Sequence, residues 1–422
     1  MSSQLVPAAS CGMVPSHVMQ SEPSSVELTI ESLAAGGDGV ARDSDGRVTF
    51  VPLTAVGDRI RARVTEQKKR FARAEIEAIV EASPDRVEPV CPLYAECGGC
   101  QWQHVSAAAQ ATAKQSIVAS ALRRAIDDGM ELRPLQTPVS ALGWRRRARL
   151  HWAKRRKDRG VLLGFYKRGS RHIVDVAQCP QLEPALQRAL SAVREHLAPA
   201  LSGTGELSMV AGHTGEVHVG IHGNCAEPQA VLGAGGIVGV RAGSRTWGAE
   251  QVEIEPGLTG SAAQFAQASR GGNEALCAAV DAATRPRDDL RILELYAGRG
   301  NLTRTLADGA KRVTAVDTDV GDKLDRVSWR KGDVVDVVAT MVEVGREFQL
   351  AVLDPPRAGA AEVLPALLTL RPQRIVYVSC DPATLGRDID RLRTGGYKAV
   401  YAQPIDLMPQ TSHVEVVVSL EI

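Results

Sequence analysis

The chain has no uninterrupted apolar run close to the roughly 18 residues that a bilayer-crossing helix needs, so no membrane segment is expected. Segment 1–25 has no basic region followed by an apolar stretch, which argues against an export signal and points to the cytoplasm. Its Ser, Pro and Ala content reads instead as a disordered tail. Net charge is nearly absent, +1 over 422 residues, but the near-cancellation hides a local excess. Without an export signal the eight cysteines (Cys11, Cys91, Cys97, Cys100, Cys179, Cys225, Cys277 and Cys380) are not expected to form a disulfide framework. A hydrophobic fraction of 44% is enough for a sizeable core, and the length suggests about two to three domains.

The local excess lies between Gly143 and Arg171. There Arg145, Arg146, Arg147, Arg149, Lys154, Arg155, Arg156, Lys157, Arg159, Lys167, Arg168 and Arg171 face only Asp158, a pattern that suits a polyanion. Upstream, 26–83 reads as short alternating strands broken by Gly-rich turns, a small OB-like β-barrel. Its Arg61, Arg63, Lys68, Lys69, Arg70 and Arg73 form either an RNA-binding face or an ordinary solvated one, and composition alone does not choose. A central domain follows over 84–256. Within it Cys91, Cys97 and Cys100 are closely spaced, with Cys179 far downstream before a proline. Four thiolates suit an iron–sulfur cluster or zinc, and the long first gap and remote fourth ligand lean to iron–sulfur.

From about Asp289 the pattern becomes one of buried strands separated by helical segments, a mostly parallel α/β sheet. The strand 291–295 runs into Gly298-Arg-Gly300-Asn301, and Asp317 ends the next strand 19 residues after Gly298. Strand, glycine turn and acid in that order form a nucleotide-type site. NAD and S-adenosylmethionine (SAM) both fit, but the third glycine of a dinucleotide fingerprint is Thr303, which lowers the NAD reading. Asp333 is a candidate for an adenine amino group, with a surface-turn acid as the rival reading.

Two further segments follow strands of this sheet, Asp354-Pro355-Pro356-Arg357 and Ser379-Cys380-Asp381-Pro382. The prolines fix the backbone after Asp354, as suits a methyltransferase that holds a planar base. A cysteine at a strand end permits covalent catalysis. Carbon 5 of uracil is a poor nucleophile until a thiolate adds at carbon 6, whereas an amino-group methylase needs no cysteine. Glu415, at the start of the last strand, is the candidate base for the carbon 5 proton.

These residues resemble the TRAM-domain, iron–sulfur RNA uracil-5-methyltransferases over about 26–422. Cys91 to His104 resembles that family's cluster motif, and Trp144–Arg149 and Gly164–Gly169 resemble its central segments. Phe265-Ala-Gln267 resembles its SAM-site segment, 379–384 its nucleophile motif and His413-Val-Glu415 its base motif. The resemblance implies a Rossmann-like SAM domain over 257–422, with contacts from Gln267, Tyr296, Gly298, Asn301, Asp317, Asp333 and Asp354. It implies a [4Fe-4S] cluster on Cys91, Cys97, Cys100 and Cys179 with a structural or RNA-positioning role. It also implies an RNA partner, 23S rRNA ahead of the tRNA T-loop, and a monomer is expected. Three departures stand out. Only 15 residues separate Asp317 from Asp333, so a helix there is shortened, Asp317 stands where Glu is frequent, and Ser269 stands where Asn is frequent. That short stretch keeps a non-catalytic RNA-binding or assembly factor as the alternative.

Overall fold

The computed structural model describes residues 25–155 and 160–422. The expected tail, Ser25 excepted, and Arg156, Lys157, Asp158 and Arg159 of the basic run lie outside them. The described residues build three sheets of six, seven and eight strands and one two-stranded hairpin.

The first sheet, 25–81, encloses a small core of Leu28, Ile30, Ala41, Val51, Ile60, Ala62 and Ala74. Alternation explains it: along Arg59–Gln67, Ile60 and Ala62 turn inward while Arg59, Arg61 and Arg63 turn out. Those outward arginines meet acids on the neighbouring strand, Arg63 with Glu75 at 2.8 Å and Arg59 with Glu81 at 3.0 Å. Arg61, Lys68 and Arg73 likewise have carboxylate partners, Glu77, Glu66 and Asp38.

The second sheet, 147–248, packs one face on the helix Pro184–Ala192 through Leu150, Trp152, Leu186 and Leu190. The third carries the order expected of an open α/β sheet. Val327–Lys331, Arg312–Asp317, Arg291–Leu295, Leu350–Leu353 and Arg374–Ser379 are neighbours and run parallel. Glu415–Glu421 then runs antiparallel beside the last of these, followed by Lys398–Ile405. Both faces are covered, which is why Leu350–Leu353 is apolar and buried at every position. Leu293, Leu295, Leu353 and Tyr377 fill one core, and Ile292, Val313, Val352 and Val376 fill the other.

The helix Ala107–Ala121 and the strand Glu131–Leu132 sit on this third sheet, not on the second. Val118 and Leu122 share its core, and Glu131–Leu132 pairs with Tyr401 and Ala402 at its edge. Lys114, fully buried, reaches Asp406 at 2.6 Å across 292 positions of sequence. The stretch between Asp317 and Asp333 also departs from expectation. It holds no helix at all, only a loop and the strand Val327–Lys331. Arg299 of the glycine turn pins that loop, with its guanidinium donating to the Val320 carbonyl at 3.3 Å and to Asp322 at 3.5 Å.

Candidate active site

Ligands of open α/β sheets bind beyond the carboxyl ends of the parallel strands, where strand order reverses. Here that point lies between Arg291–Leu295 and Leu350–Leu353. The glycine turn leaves the first of these, with Tyr296, Gly298 and Gly300 at φ of 62°, 51° and 105°. An added Cβ at Gly298 would meet nothing within 4 Å, so the turn faces open space there. Asp317 holds the turn in place, accepting the Gly298 N–H at 2.9 Å and the Asp319 N–H at 2.9 Å. Asp333 caps the helix Val334–Glu343 by accepting the Val335 N–H at 2.9 Å. Asn301 begins the next helix, and its side-chain amide exchanges hydrogen bonds with Asn273 at 2.7 and 2.9 Å.

Asn273 opens onto a network that the sequence did not reveal. It donates to Glu255 at 2.6 Å, and Glu255 is the partner of Arg146. Arg146 is 1% exposed and also donates to the carbonyls of Gln267 at 3.0 Å and Ile254 at 3.1 Å. Expected on the polyanion-facing surface, it instead braces the Gln267 segment against the SAM-type site. A signal was present: Trp144, Ala148, Leu150 and Trp152 occupy alternate positions, and Arg146 falls on that same buried face. Ser269, where Asn was expected, is buried and donates to the Leu407 carbonyl at 2.8 Å.

Two strand ends bring the reactive groups together. The Asp354 N–H is held by the Leu295 carbonyl at 3.3 Å. Cys380 follows Ser379 and precedes Asp381, which caps the helix Pro382–Thr394 through the Thr384 N–H at 2.9 Å. Thr384 in turn donates to the Arg357 carbonyl at 3.0 Å, tying the Asp354–Arg357 loop to the cysteine loop. Register places the last group. Ser379 lies opposite Val416 in the antiparallel pair, so Glu415 falls level with Cys380 at the mouth of the sheet.

Electrostatics agree with that placement. Burial pushes the Cys380 thiol up to about 11, with Glu415 and Asp354 adding to the rise and Arg357 opposing it. Glu415 is 5% exposed, and burial, reinforced by Asp354, raises it well above the usual carboxylate range. Asp354 is half-buried and is likewise raised by burial, to about 7. Glu294, just before the glycine turn, is raised to about 8 by burial, and its Oε2 has no hydrogen-bond partner. A site lined with several carboxyls and an unpaired buried oxygen suits a cationic ligand, because a positive charge lowers all of them together. SAM carries a sulfonium and an ammonium and fits that requirement.

Cys91, Cys97, Cys100 and Cys179 lie within electrostatic reach of one another. The thiols of Cys97, Cys100 and Cys179 are raised by burial and further by one another, and Cys91 adds to Cys97 and Cys179. The Gly99 N–H donates to the Cys97 sulfur at 3.4 Å, and Arg145 stands close enough to stabilise three of the thiolates. Among the described residues no three His, Cys, Asp or Glu side chains form a site for a single metal ion.

A parallel sheet closed by an antiparallel strand, with a glycine turn and a carboxylate-lined mouth, defines a SAM-dependent methyltransferase joined to a small N-terminal β-domain. Family models agree at both ends, "TRAM domain" over 22–76 and "tRNA (Uracil-5-)-methyltransferase" over 342–422. The chain is 32% identical to a Klebsiella pneumoniae protein named 23S rRNA (uracil(1939)-C(5))-methyltransferase, covering 94% of this chain and 95% of that one. A Pectobacterium atrosepticum protein of the same name is 33% identical, covering 92% of each. In fold it resembles the crystal structure of Pyrococcus abyssi tRNA (uracil-54, C5)-methyltransferase with S-adenosyl-L-homocysteine, at TM-score 0.68, 23% identity and coverage of 94% and 99%. This chain belongs to the RNA uracil-C5-methyltransferase family.

Proposed function

We propose that the protein methylates carbon 5 of a uridine in 23S ribosomal RNA, with Cys380 as nucleophile and Glu415 as base. The observation that carries the assignment is the register that sets a buried, proton-seeking carboxylate level with a partly open thiol. Neither an amino-group methylase nor a non-catalytic binding factor has a use for that pair. SAM, when bound, supplies a methyl group on a sulfonium. The glycine turn, Gln267, Asn301, Asp317, Asp333 and Asp354 would hold it.

The Cys380 thiolate adds to carbon 6 of the uracil, and the electron pair of the 5,6 bond moves to carbon 5, which takes the methyl group. Glu415 then removes the carbon 5 hydrogen as a proton. The electrons it leaves re-form the double bond and expel the thiolate. Arg357, which donates to His413 at 3.0 Å, stabilises the thiolate across the mouth. His413 is held neutral, lowered to about 4 by burial first and by Arg357 second.

Supporting the ribosomal target are the names of the relatives matched over nearly the whole chain. Labelled methyl transfer from SAM into unmodified 23S rRNA tests the reading, with unmodified tRNA in parallel. Cys380→Ala should remove all incorporation, and retained turnover in that variant would refute the mechanism. Cys91, Cys97, Cys100 and Cys179 are proposed to hold a [4Fe-4S] cluster, since four thiols within electrostatic reach of one another, three of them near Arg145, suit an anionic cluster. The protein is read as a cytoplasmic monomer, and no described helix is long and apolar enough to cross a membrane.

A further inference from the structure

The second sheet has one face under a helix; the other is covered at one end, where Val210 packs with Val252, Ile254 and Ala262, and opens toward His151 and His222. On Arg147–Lys154, Ala148, Leu150 and Trp152 point into the core, so Arg147, Arg149 and His151 lie on the opposite side, Arg147 half-buried beside Val210 at the covered end and Arg149 exposed. The antiparallel ladders carry that row across neighbouring strands, with Glu206 opposite His151 and His222 opposite Glu206. On the other flank Gly164 lies opposite His151, so Tyr166, two positions on, is its diagonal neighbour on the same face. The Tyr166 and His151 rings stack, with centroids 3.8 Å apart and planes 12° apart.

This pair is shared by two adjoining hollows. One, of about 620 Å³, also takes in Arg171, His172, Glu206 and His222. The other, of about 450 Å³, takes in Arg149, Lys167 and the barrel turn at Gly36 and Asp38. That second hollow also includes Gln101, which leads to the catalytic mouth: the N–H groups of Gln101 and Trp102 both donate to the Gln410 carbonyl at 3.0 Å, just before His413 and Glu415. None of these aromatic groups takes part in the methyl transfer.

We infer that the Tyr166–His151 stack is a platform for an unpaired nucleobase of the RNA, outside the catalytic pocket, with Arg149, Lys167 and Arg171 along its phosphates. The inference rests on the reading of the substrate as RNA. Each base has a π-face, so a half-open aromatic pair on a sheet flanked by cations suits a splayed nucleotide of a single strand. Tyr166 is 37% exposed, which leaves ring surface for that contact. Glu206 and Asp38 line the same hollows and make them no simple phosphate trough; their carboxylates can accept from base amino groups.

The test compares Tyr166→Ala, Tyr166→Phe and His151→Ala in the full-length protein. The probes are an unmodified 23S rRNA transcript around the uridine 1939 of the relatives' names, and an oligouridine of about 12 nucleotides. Fluorescence anisotropy should show Tyr166→Ala weakening both by roughly 5- to 150-fold, with His151→Ala weaker than wild type and Tyr166→Phe close to it. The KM for RNA should rise more than kcat falls, and calorimetric SAM binding should be unchanged. Wild-type affinity in both alanine variants, or an equal loss in Tyr166→Phe, overturns the inference. Tyr166-dependent oligonucleotide binding without any methylation would sink the proposed reaction and leave the platform standing. Methylation with an unaltered KM in the alanine variants would do the reverse.

Discussion

Replacing Glu415 by Gln separates the two halves of the proposed reaction. The side chain is 5% exposed, and its carboxyl is raised by burial and by Asp354, so the site already favours an uncharged group. Glutamine matches it in size and removes a buried ionisable group, so the fold should not weaken and the thermal midpoint should stay level or rise. The chemistry should suffer heavily. Cys380 can still add to carbon 6 and carbon 5 can still take the methyl group, but nothing removes the carbon 5 proton. Loss of a positioned general base costs about 10²- to 10⁴-fold, or roughly 3 to 5 kcal/mol of barrier. The enzyme should therefore stall as a covalent protein–RNA adduct, close to one per chain, that survives denaturing electrophoresis and carries labelled methyl. Turnover within about threefold of wild type would place the base elsewhere, since that is well under the cost of losing one. A stalled enzyme without an adduct would show that Glu415 acts before the methyl transfer.

Other outcomes follow from the same geometry. The Cys380 thiol is held near 11 by burial and its carboxylate neighbours, so alkylation by iodoacetamide should accelerate as pH rises through the alkaline range. A bound sulfonium favours the thiolate, so saturating SAM should move that profile to lower pH than saturating S-adenosyl-L-homocysteine does; coincident profiles would show that the cofactor charge does not reach the thiol. Breaking the Lys114–Asp406 pair with Lys114→Met leaves a buried carboxylate unpaired, which should destabilise the protein by about 3 to 5 kcal/mol in denaturant unfolding. The double variant with Asp406→Leu should recover most of that loss. Anaerobically purified protein should contain about four irons per chain, and stoichiometric zinc instead would overturn the cluster assignment.

The chemistry-bearing segments were legible because each is local. A buried strand, a glycine turn and an acid at the next strand end announce Gly298, Gly300 and Asp317 from a single stretch, and the structure joins Asp317 to the Gly298 N–H. Cys380, the proposed nucleophile, was legible for the same reason, as a cysteine placed where a parallel strand meets a capped helix. Arg146 misled because charge was counted without regard to face, although the alternation from Trp144 to Trp152 assigns it to the buried side. Asn273 carried no comparable signal. Its importance comes from Asn301, on another helix, and from Glu255, on a strand of the small hairpin.

The residue types and their local spacing by themselves determined that a glycine turn, a strand-end cysteine and a late carboxylate exist in this chain. Only the tertiary structure decided that the cysteine and the carboxylate meet. A one-residue slip between Arg374–Ser379 and Glu415–Glu421 would send Glu415 to the opposite face, and that register depends on core packing drawn from the whole sheet. Placement of the helix Ala107–Ala121 against the loop at 406–412 is likewise set by a buried pair 292 positions apart in sequence, a contact that no local pattern encodes.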